Sequence, residues 1–334
     1  MNMKKYALRV LVLIMMLALV LTGCGKKAET PEQWATGPVT VILPYGAGGD
    51  TDTYCRTLFD RVSKILNITF VITNQTGGSG MVAAMNVMNK KPDGYTVLFN
   101  HTGAALCQEA FGMVEFSYTK DFANCCTVAL DPTYTLVAVN PKGKYGKYSR
   151  GWSDLKGMIA DAKANPGKIR YSTVFGSTTQ YVGQMLESDA GIQLDNIDIG
   201  TSGGARMTAL MGGKVDLVAA NYMQVRDYIK KGDLVALGVM ADQRVKGLEN
   251  IPTFKEQGCP RVVSTKKYEV KFPKGTSPVI VNKLADACKK VTSDPEFAKV
   301  LAKYYAQPYY RDAETMNRED PEEVIDLRKG LGIK

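Results

Sequence analysis

Histidine is almost missing from this chain: His101 is the one imidazole in 334 residues. That excludes histidine-built metal clusters, and it leaves a histidine-based triad only if His101 itself is the base. The cysteines do not fill the gap. There are seven, none in a C-x-x-C pair, and their spacing suits no metal site. Also lacking is any block of five or more basic residues. The lysines are spread along the chain, which argues against nucleic acid as a partner. No low-complexity segment and no short-period repeat occurs. The one long apolar run, Leu11 to Leu21, falls short of the ~20 residues that a membrane-spanning helix needs.

That run has the build of an export signal. Lys4, Lys5 and Arg9 precede it, and Leu21-Thr22-Gly23-Cys24 ends it. Leu-Thr-Gly-Cys resembles the bacterial lipobox. The resemblance implies a lipoprotein signal peptide over residues 1–23, cleavage before Cys24, and lipid on Cys24. Two or three acyl chains anchor stably where one is marginal. Residues 24–37 read as the lipidated cysteine and a polar tether, with Lys26, Lys27, Glu29, Glu32 and Gln33 among them. The expected place is outside the cytoplasm, lipid-anchored to the cell membrane and facing the periplasm or the exterior. Removing 23 of 334 residues leaves 311, enough for two domains of ~100–200 residues each. Losing Lys4, Lys5 and Arg9 lowers the net charge from +9 to +6, a mild excess that suits an anionic ligand. Cys55, Cys107, Cys125, Cys126, Cys259 and Cys288 remain. Export permits disulfides, so some pairing and six buried thiols stand as equal alternatives.

The rest of the chain alternates between strand and helix patterns. Val39 to Leu43 is a buried-strand run. A glycine-rich turn follows, and Thr51 to Leu66 carries apolar residues at helical spacing. Phe70–Thr73 reads as a strand, Asn74 to Gly80 as a second glycine turn, Met81–Met88 as a helix and Tyr95–Phe99 as a strand. Irregular chain follows, with strand-like runs at Val128–Ala129 and Thr135–Val139. A second block predicts a helix over Trp152–Ala164 capped by Ser153, a strand at Ile169–Thr173 and a helix from Gln180 to Ala190. It continues with strands at Ile197–Ile199, Val215–Ala220 and Leu234–Met240, and helices at Arg206–Met211 and Met223–Lys230. Thr253–Gln257 reads as helix and Val262–Val270 as strand. Helices begin at Ser277-Pro278 and Asp294-Pro295, the last reaching Tyr305. Alternation in two separate blocks argues for two α/β domains.

The loop Gly46-Ala-Gly48-Gly49-Asp-Thr51 lies between a strand and a helix, where free N–H groups meet an anion. A dinucleotide fingerprint would need a third glycine where Thr51 stands, and a P-loop would need Gly-Lys where Gly49-Asp50 stands. Asp50 and Asp52 would also repel an unaccompanied polyphosphate. Three such loops, Tyr45–Asp52, Gly77–Gly80 and Phe175–Gln180, precede helices. In open α/β sheets loops of this kind gather at the carboxyl ends of strands, where ligands bind. Loops rich in Gly, Ser and Thr can hold a carboxylate through neutral donors and helix dipoles.

Taken in order, several segments resemble one family. They are Pro44-Tyr-Gly-Ala-Gly-Gly-Asp-Thr-Asp52, Asn74 to Gly80, Pro92-Asp-Gly-Tyr-Thr96, Lys163-Ala-Asn-Pro-Gly-Lys168, Gly212-Gly-Lys-Val-Asp216, and Ile251-Pro-Thr253 with Gly258. The family is the solute-binding receptors of tripartite tricarboxylate transporters, the Bug proteins, and the resemblance spans roughly Pro38 to Tyr305. It implies an α/β, type II periplasmic-binding fold: two lobes joined by two crossing strands around a ligand cleft. Residues 38–134 plus 264–334 would form lobe 1, and 135–263 lobe 2. It also implies that the cleft holds a small organic acid: a di- or tricarboxylate, an acidic amino acid or an aromatic acid. The expected contacts are Tyr45, Ala47, Gly48, Gly49, Thr51 and Asp52 on one side, with Ser79 and Gly80 nearby. Gly176, Ser177, Thr178 and Thr179 face them, and Asn221 and Tyr222 are candidates for the floor. Asp52 reads mainly as a brace for the loop. The chain departs from the family at Val174–Gln180, at Tyr45 and at Ala219-Ala220, all ligand-facing places, so the resemblance does not name the ligand.

The expected protein is a monomeric receptor that hands its ligand to membrane permease subunits, with no cofactor and no catalysis. The rival classes are an exported lipoprotein hydrolase and a ligand sensor without a transport role. Ser177 does not sit in a G-x-S-x-G elbow, which weighs against the hydrolase. His101 and Arg206 read first as structural or surface residues, with cleft-facing roles as the minor alternatives. The tyrosines at 304, 305, 309 and 310 read as packing residues. A bulky side chain at Gly48 is expected to abolish ligand binding in calorimetry. Unchanged affinity would remove the first loop from the site.

Overall fold

A computed structural model describes residues 33–200 and 203–333. The expected signal peptide, Cys24 and most of the tether lie outside the described residues. Two sheets organise the chain. The first contains β1 (Val39–Leu43), β2 (Phe70–Asn74), β3 (Thr96–His101), β4 (Phe122–Asp131), β10 (Lys266–Pro273) and β11 (Gln307–Asp312) in the order β11-β4-β10-β3-β1-β2. The second contains β5 (Tyr134–Val139), β6 (Ile169–Thr173), β7 (Leu194–Asp198), β8 (Leu217–Asn221) and β9 (Leu234–Val239) in the order β7-β6-β8-β5-β9. The helices are α1 (Asp50–Leu66), α2 (Met81–Met88), α3 (Thr102–Ala110), α4 (Leu155–Ala164), α5 (Thr178–Ala190), α6 (Gly203–Met211), α7 (Tyr222–Lys230), α8 (Pro278–Thr292), α9 (Pro295–Ala302) and α10 (Ala313–Gly330). None of these is long and apolar enough to cross a membrane.

β1 is an apolar run because it is central. It pairs in parallel with β2 on one edge and β3 on the other, and its faces are buried too: Val39, Val41 and Leu43 pack with α1, and Ile42 packs with α2. Each sheet also holds a strand that runs against both its neighbours, β10 in the first and β5 in the second. The chain passes from β4 to β5 through Pro132 and Thr133, and it returns from the second sheet into β10. These two crossings join two α/β lobes, and the loops that leave β1 and β6 approach each other between them.

Local sequence misses or shortens several elements, two of them because they are buried on nearly every side. α3 has seven buried residues in nine, so no polar face marks a helical period. β4 is buried at nearly every position, including Asn124 and Thr127, and so shows no alternation of polar and apolar residues. α10 is polar and carries Pro321 in its interior, a residue that removes a helix donor. β11 and α10 both lie beyond the last helix expected from the sequence. Other boundaries shift. α4 starts at Leu155, capped by Asp154 rather than Ser153, with Gly157 N–H donating to Asp154 Oδ1 at 2.7 Å. Thr253–Gln257, expected as helix, is a run of turns whose first residue bridges to Val239. The strand expected over Val262–Val270 begins only at Lys266. The six described cysteines are free, buried thiols.

Trp34, which the sequence reading left in the tether, is part of the first lobe's core. Its ring packs edge-on against Phe272, centroids 6.2 Å apart, and its Nε1 donates to Gly94 O at 3.0 Å. Gly94 has φ +84°, and an added Cβ would lie 2.6 Å from that Nε1. The glycine of the Pro92-Asp-Gly turn is therefore required both by backbone conformation and by the indole above it. Trp34→Ala is expected to lower unfolding free energy by about 3–5 kcal/mol in urea titration. An unmoved midpoint would show that residue 34 belongs to the tether after all.

Candidate functional site

The loop from β1 to α1 is held from within. Gly48 has φ +80°, a conformation suited to glycine, and its N–H donates to Asp52 Oδ2 at 3.0 Å. Asp52 Oδ1 accepts from Arg56 Nε and from Asn74 Nδ2, each at 2.9 Å. The same Asn74 amide donates to Tyr45 O at 2.9 Å. Asp52 thus ties the first glycine loop to the second and faces away from the cleft, the bracing role its position suggested.

Asp50, one step earlier on α1, is the floor of the cleft. Its Oδ1 accepts from Thr51 N–H at 2.8 Å. Its Oδ2 accepts from Lys266 Nζ at 2.8 Å, Tyr268 Oη at 2.9 Å and Asn221 Nδ2 at 3.4 Å. Lys266 also lies 3.7 Å from Asp131 Oδ2, which takes Asn221 Nδ2 at 2.6 Å. Burial alone would push the Asp50 carboxyl up. The Lys266 ammonium, its hydrogen bond, His101 and the Thr51 N–H outweigh burial and hold it well below the usual carboxylate range. Burial would pull the Lys266 ammonium down, but Asp50 and Asp131 raise it above its ordinary value. The cluster joins α1, β4, β10 and the N-cap of α7.

Facing it, the loop from β6 to α5 is also self-bonded. Ser177 caps α5: its Oγ donates to Val174 O at 2.7 Å and accepts from Thr179 N–H at 3.2 Å. Thr179 Oγ1 accepts from Val174 N–H at 2.8 Å. Thr178 reaches the opposite lobe, where its Oγ1 donates to Gly103 O at 2.7 Å. Gly176, with φ +72°, abuts Met113 of that lobe; an added Cβ would stand 2.6 Å from Met113 Cγ.

Between the two loops lies a cavity of about 580 Å³. Of the residues expected at a ligand, Tyr45, Gly49, Thr51 and Ser79 line it from the first lobe, and Ser177, Thr178, Thr179 and Asn221 from the second. Ala47, Gly48, Asp52 and Gly176 do not line it. Asp50, Tyr134, Lys266 and Gln224 line it without having been singled out. No local signal marks Lys266, which meets Asp50 from 216 residues away. His101 and Arg206, read first as structural or surface residues, are in the wall. Arg206 is buried, not on a solvated helix face.

His101 stacks on Tyr45, centroids 4.8 Å apart and planes within 6°. Its Nδ1 is buried and has no hydrogen-bond partner among the described residues. Burial pushes the imidazole down to about 3, with Lys266 lowering it further and Asp50 opposing. The ring is therefore neutral at pH 7. An unfolded histidine titrates at ~6.5, so below that pH the unfolded chain takes up a proton that the folded chain refuses. The stability due to this group is full above pH ~6.5 and is lost as pH falls toward 3, about 2 kcal/mol between pH 7 and pH 5. His101→Gln should show a shallower fall of urea midpoint over that interval. A variant that tracks the parent at every pH would mean that His101 is not held neutral.

Residues 54–328 match the family described as tripartite tricarboxylate transporter family receptor. The UPF0065 protein of the gbd 5′ region of Cupriavidus necator is 32% identical over 303 residues, 89% of this chain and 87% of that protein. Among solved structures, Rpa4515 of R. palustris, determined with adipate, superposes with TM-score 0.78 at 24% identity, covering 90% of this chain and 99% of that one. MatC from Rhodopseudomonas palustris, with bound malate, superposes with TM-score 0.76 at 22% identity, covering 89% and 100%. At these identities the two structures speak to fold, and the type II periplasmic-binding fold expected from the resemblance is the fold observed. Matched over most of its length by the family and by a relative of similar size, the chain belongs to the tripartite tricarboxylate transporter receptor family.

Proposed function

We propose that this protein is an extracytoplasmic receptor that captures a small organic carboxylate by closing its two lobes and delivers it to a tripartite-type membrane permease. One observation carries the reading: the cavity is walled by strand–helix loops of both lobes, Gly49 and Thr51 on one side and Ser177 to Thr179 on the other. Helix N-termini bring N–H donors and favourable dipoles to such a place. The structural neighbours with malate and with adipate support a carboxylate as the ligand class. Residues 38–134 with 264–334 act as one lobe and 135–263 as the other, hinged where β4 meets β5 and where the chain enters β10. Cys24 carries the lipid, residues 1–23 are removed on export, and the receptor works as a monomer without a cofactor.

In the mechanism an acid docks on the first-lobe loop and the second lobe turns onto it. The free energy for closure comes from second-lobe contacts made only in the closed form. The hydroxyls of Ser177 and Thr178 already donate within the protein. The acid therefore draws on backbone N–H groups first, and hydroxyl donation requires those bonds to be exchanged. Among the described residues the wall holds no serine bonded to an imidazole, which favours binding over hydrolysis. A thermal-shift screen of organic acids tests the reading. An acid at 100 times its Kd adds about 2.7 kcal/mol of stability and is recovered chemically unchanged. Turnover of an ester or amide, or a melting temperature that no acid moves, sinks it.

A further inference from the structure

The charges in the cavity wall are not equally compensated. Lys266 sits 2.8 Å from Asp50 and 3.7 Å from Asp131, so its charge is spent inside the protein. His101 is neutral for the reasons given above. Arg206 is different. It is 7% exposed and lines the cavity from the second lobe, and no carboxylate pairs with it among the described residues. Its Nη1 donates to Ala219 O at 3.0 Å, which fixes the guanidinium against β8. Its Nε is buried with no hydrogen-bond partner among the described residues.

A buried guanidinium without an acid is costly. Here the cost is raised by position, because Arg206 stands in the first turn of α6, where the helix dipole disfavours a cation and favours an anion. Around it the wall is polar. Gly203 at the start of α6 abuts Gln224, since an added Cβ there would lie 2.8 Å from Gln224 Oε1, and both residues line the cavity. A guanidinium, an amide and a helix N-terminus thus converge at one end of the cleft, opposite the first-lobe loop.

We infer that Arg206 is the specificity-determining residue of this receptor: it takes a second anionic group of the ligand, so the preferred ligand is a dianionic organic acid. The assignment rests on the receptor reading above. The first carboxylate sits on the neutral loop donors, and the far one pairs with the guanidinium. An acid with a methyl group in place of that far carboxylate leaves Arg206 buried and unpaired, so the protein rejects it. Rejection of this kind is stronger than rejection based on a missing apolar contact.

The test uses matched pairs, butyrate with succinate and hexanoate with adipate, titrated calorimetrically into the parent protein and into Arg206→Lys, Arg206→Gln and Arg206→Met. The parent is expected to bind at least one diacid 10–100-fold more tightly than its monoacid partner. Arg206→Met and Arg206→Gln should lose that preference while monoacid affinity stays within about 2-fold. Arg206→Lys should keep part of it, since charge remains but the planar fork does not. If Arg206→Met does not fold, the Lys and Gln variants carry the comparison. A parent that binds both members of each pair equally overturns the assignment and leaves the receptor reading standing. Equal losses for monoacid and diacid in every variant also overturn it, by making Arg206 a structural support. A parent that binds none of the four acids overturns the assignment, and the receptor reading falls with it only if no acid in the thermal-shift screen moves the melting temperature.

Discussion

The Asp50–Lys266 ion pair is the constraint on which the rest of the cleft depends. Asp50 opens α1, Lys266 opens β10, Asp131 closes β4, and Asn221 caps α7. Four elements from distant parts of the chain meet at one buried cation. Removing either acid would leave a largely buried cation undercompensated, and breaking a buried pair costs about 3–5 kcal/mol. The elements are therefore held in a common geometry. The glycine loop before α1 is aimed because the helix that follows it is pinned at its first residue. Both passages between the sheets end in the same cluster, so the floor of the cleft and the joint between the lobes are one structure.

Above that floor the two loops that wall the cavity are already bonded within the protein. Asp52 with Asn74 braces the first loop, and Ser177 with Thr179 braces the second. Such preorganisation lowers the ordering cost of capture. The hydroxyls of Ser177 and Thr178 give up freedom for it. The Tyr45–His101 stack adds a flat, uncharged wall beside the polar ones. Tyr45 thus has the chain's single histidine as its partner.

Much of this was legible in the sequence because the information was local. A strand, a glycine turn and a helix announce themselves within about fifteen residues, and β1 with α1 and β6 with α5 were read nearly to the residue. Asp52 was legible as a brace because a carboxylate near a helix start commonly bonds nearby N–H groups. Lys266 was not legible: its meaning lies in two acids more than a hundred residues upstream. Arg206 was misjudged because a short helix offers too few residues to tell a cleft face from a solvent face. α3 was missed and β4 was legible only at Val128–Ala129, because both are surrounded by protein and amphipathic periodicity exists only where one side meets water. Trp34 was missed because its neighbours are polar. One indole docked beneath a turn decides whether those residues hang free, and composition averages it away.

Six thiols lie buried in this fold, and none is cross-linked to another. Burial raises the pKa of five of them, and the hydrogen bond with Cys126 together with burial raises that of Cys288, so little thiolate exists to react. Among these residues a reductant finds no covalent cross-link to cut, and no cysteine side chain is open to solvent. Cys126 and Cys288 face each other closely enough to hydrogen-bond. The described fold thus uses its cysteines as small apolar side chains, held by packing rather than by covalent bonds.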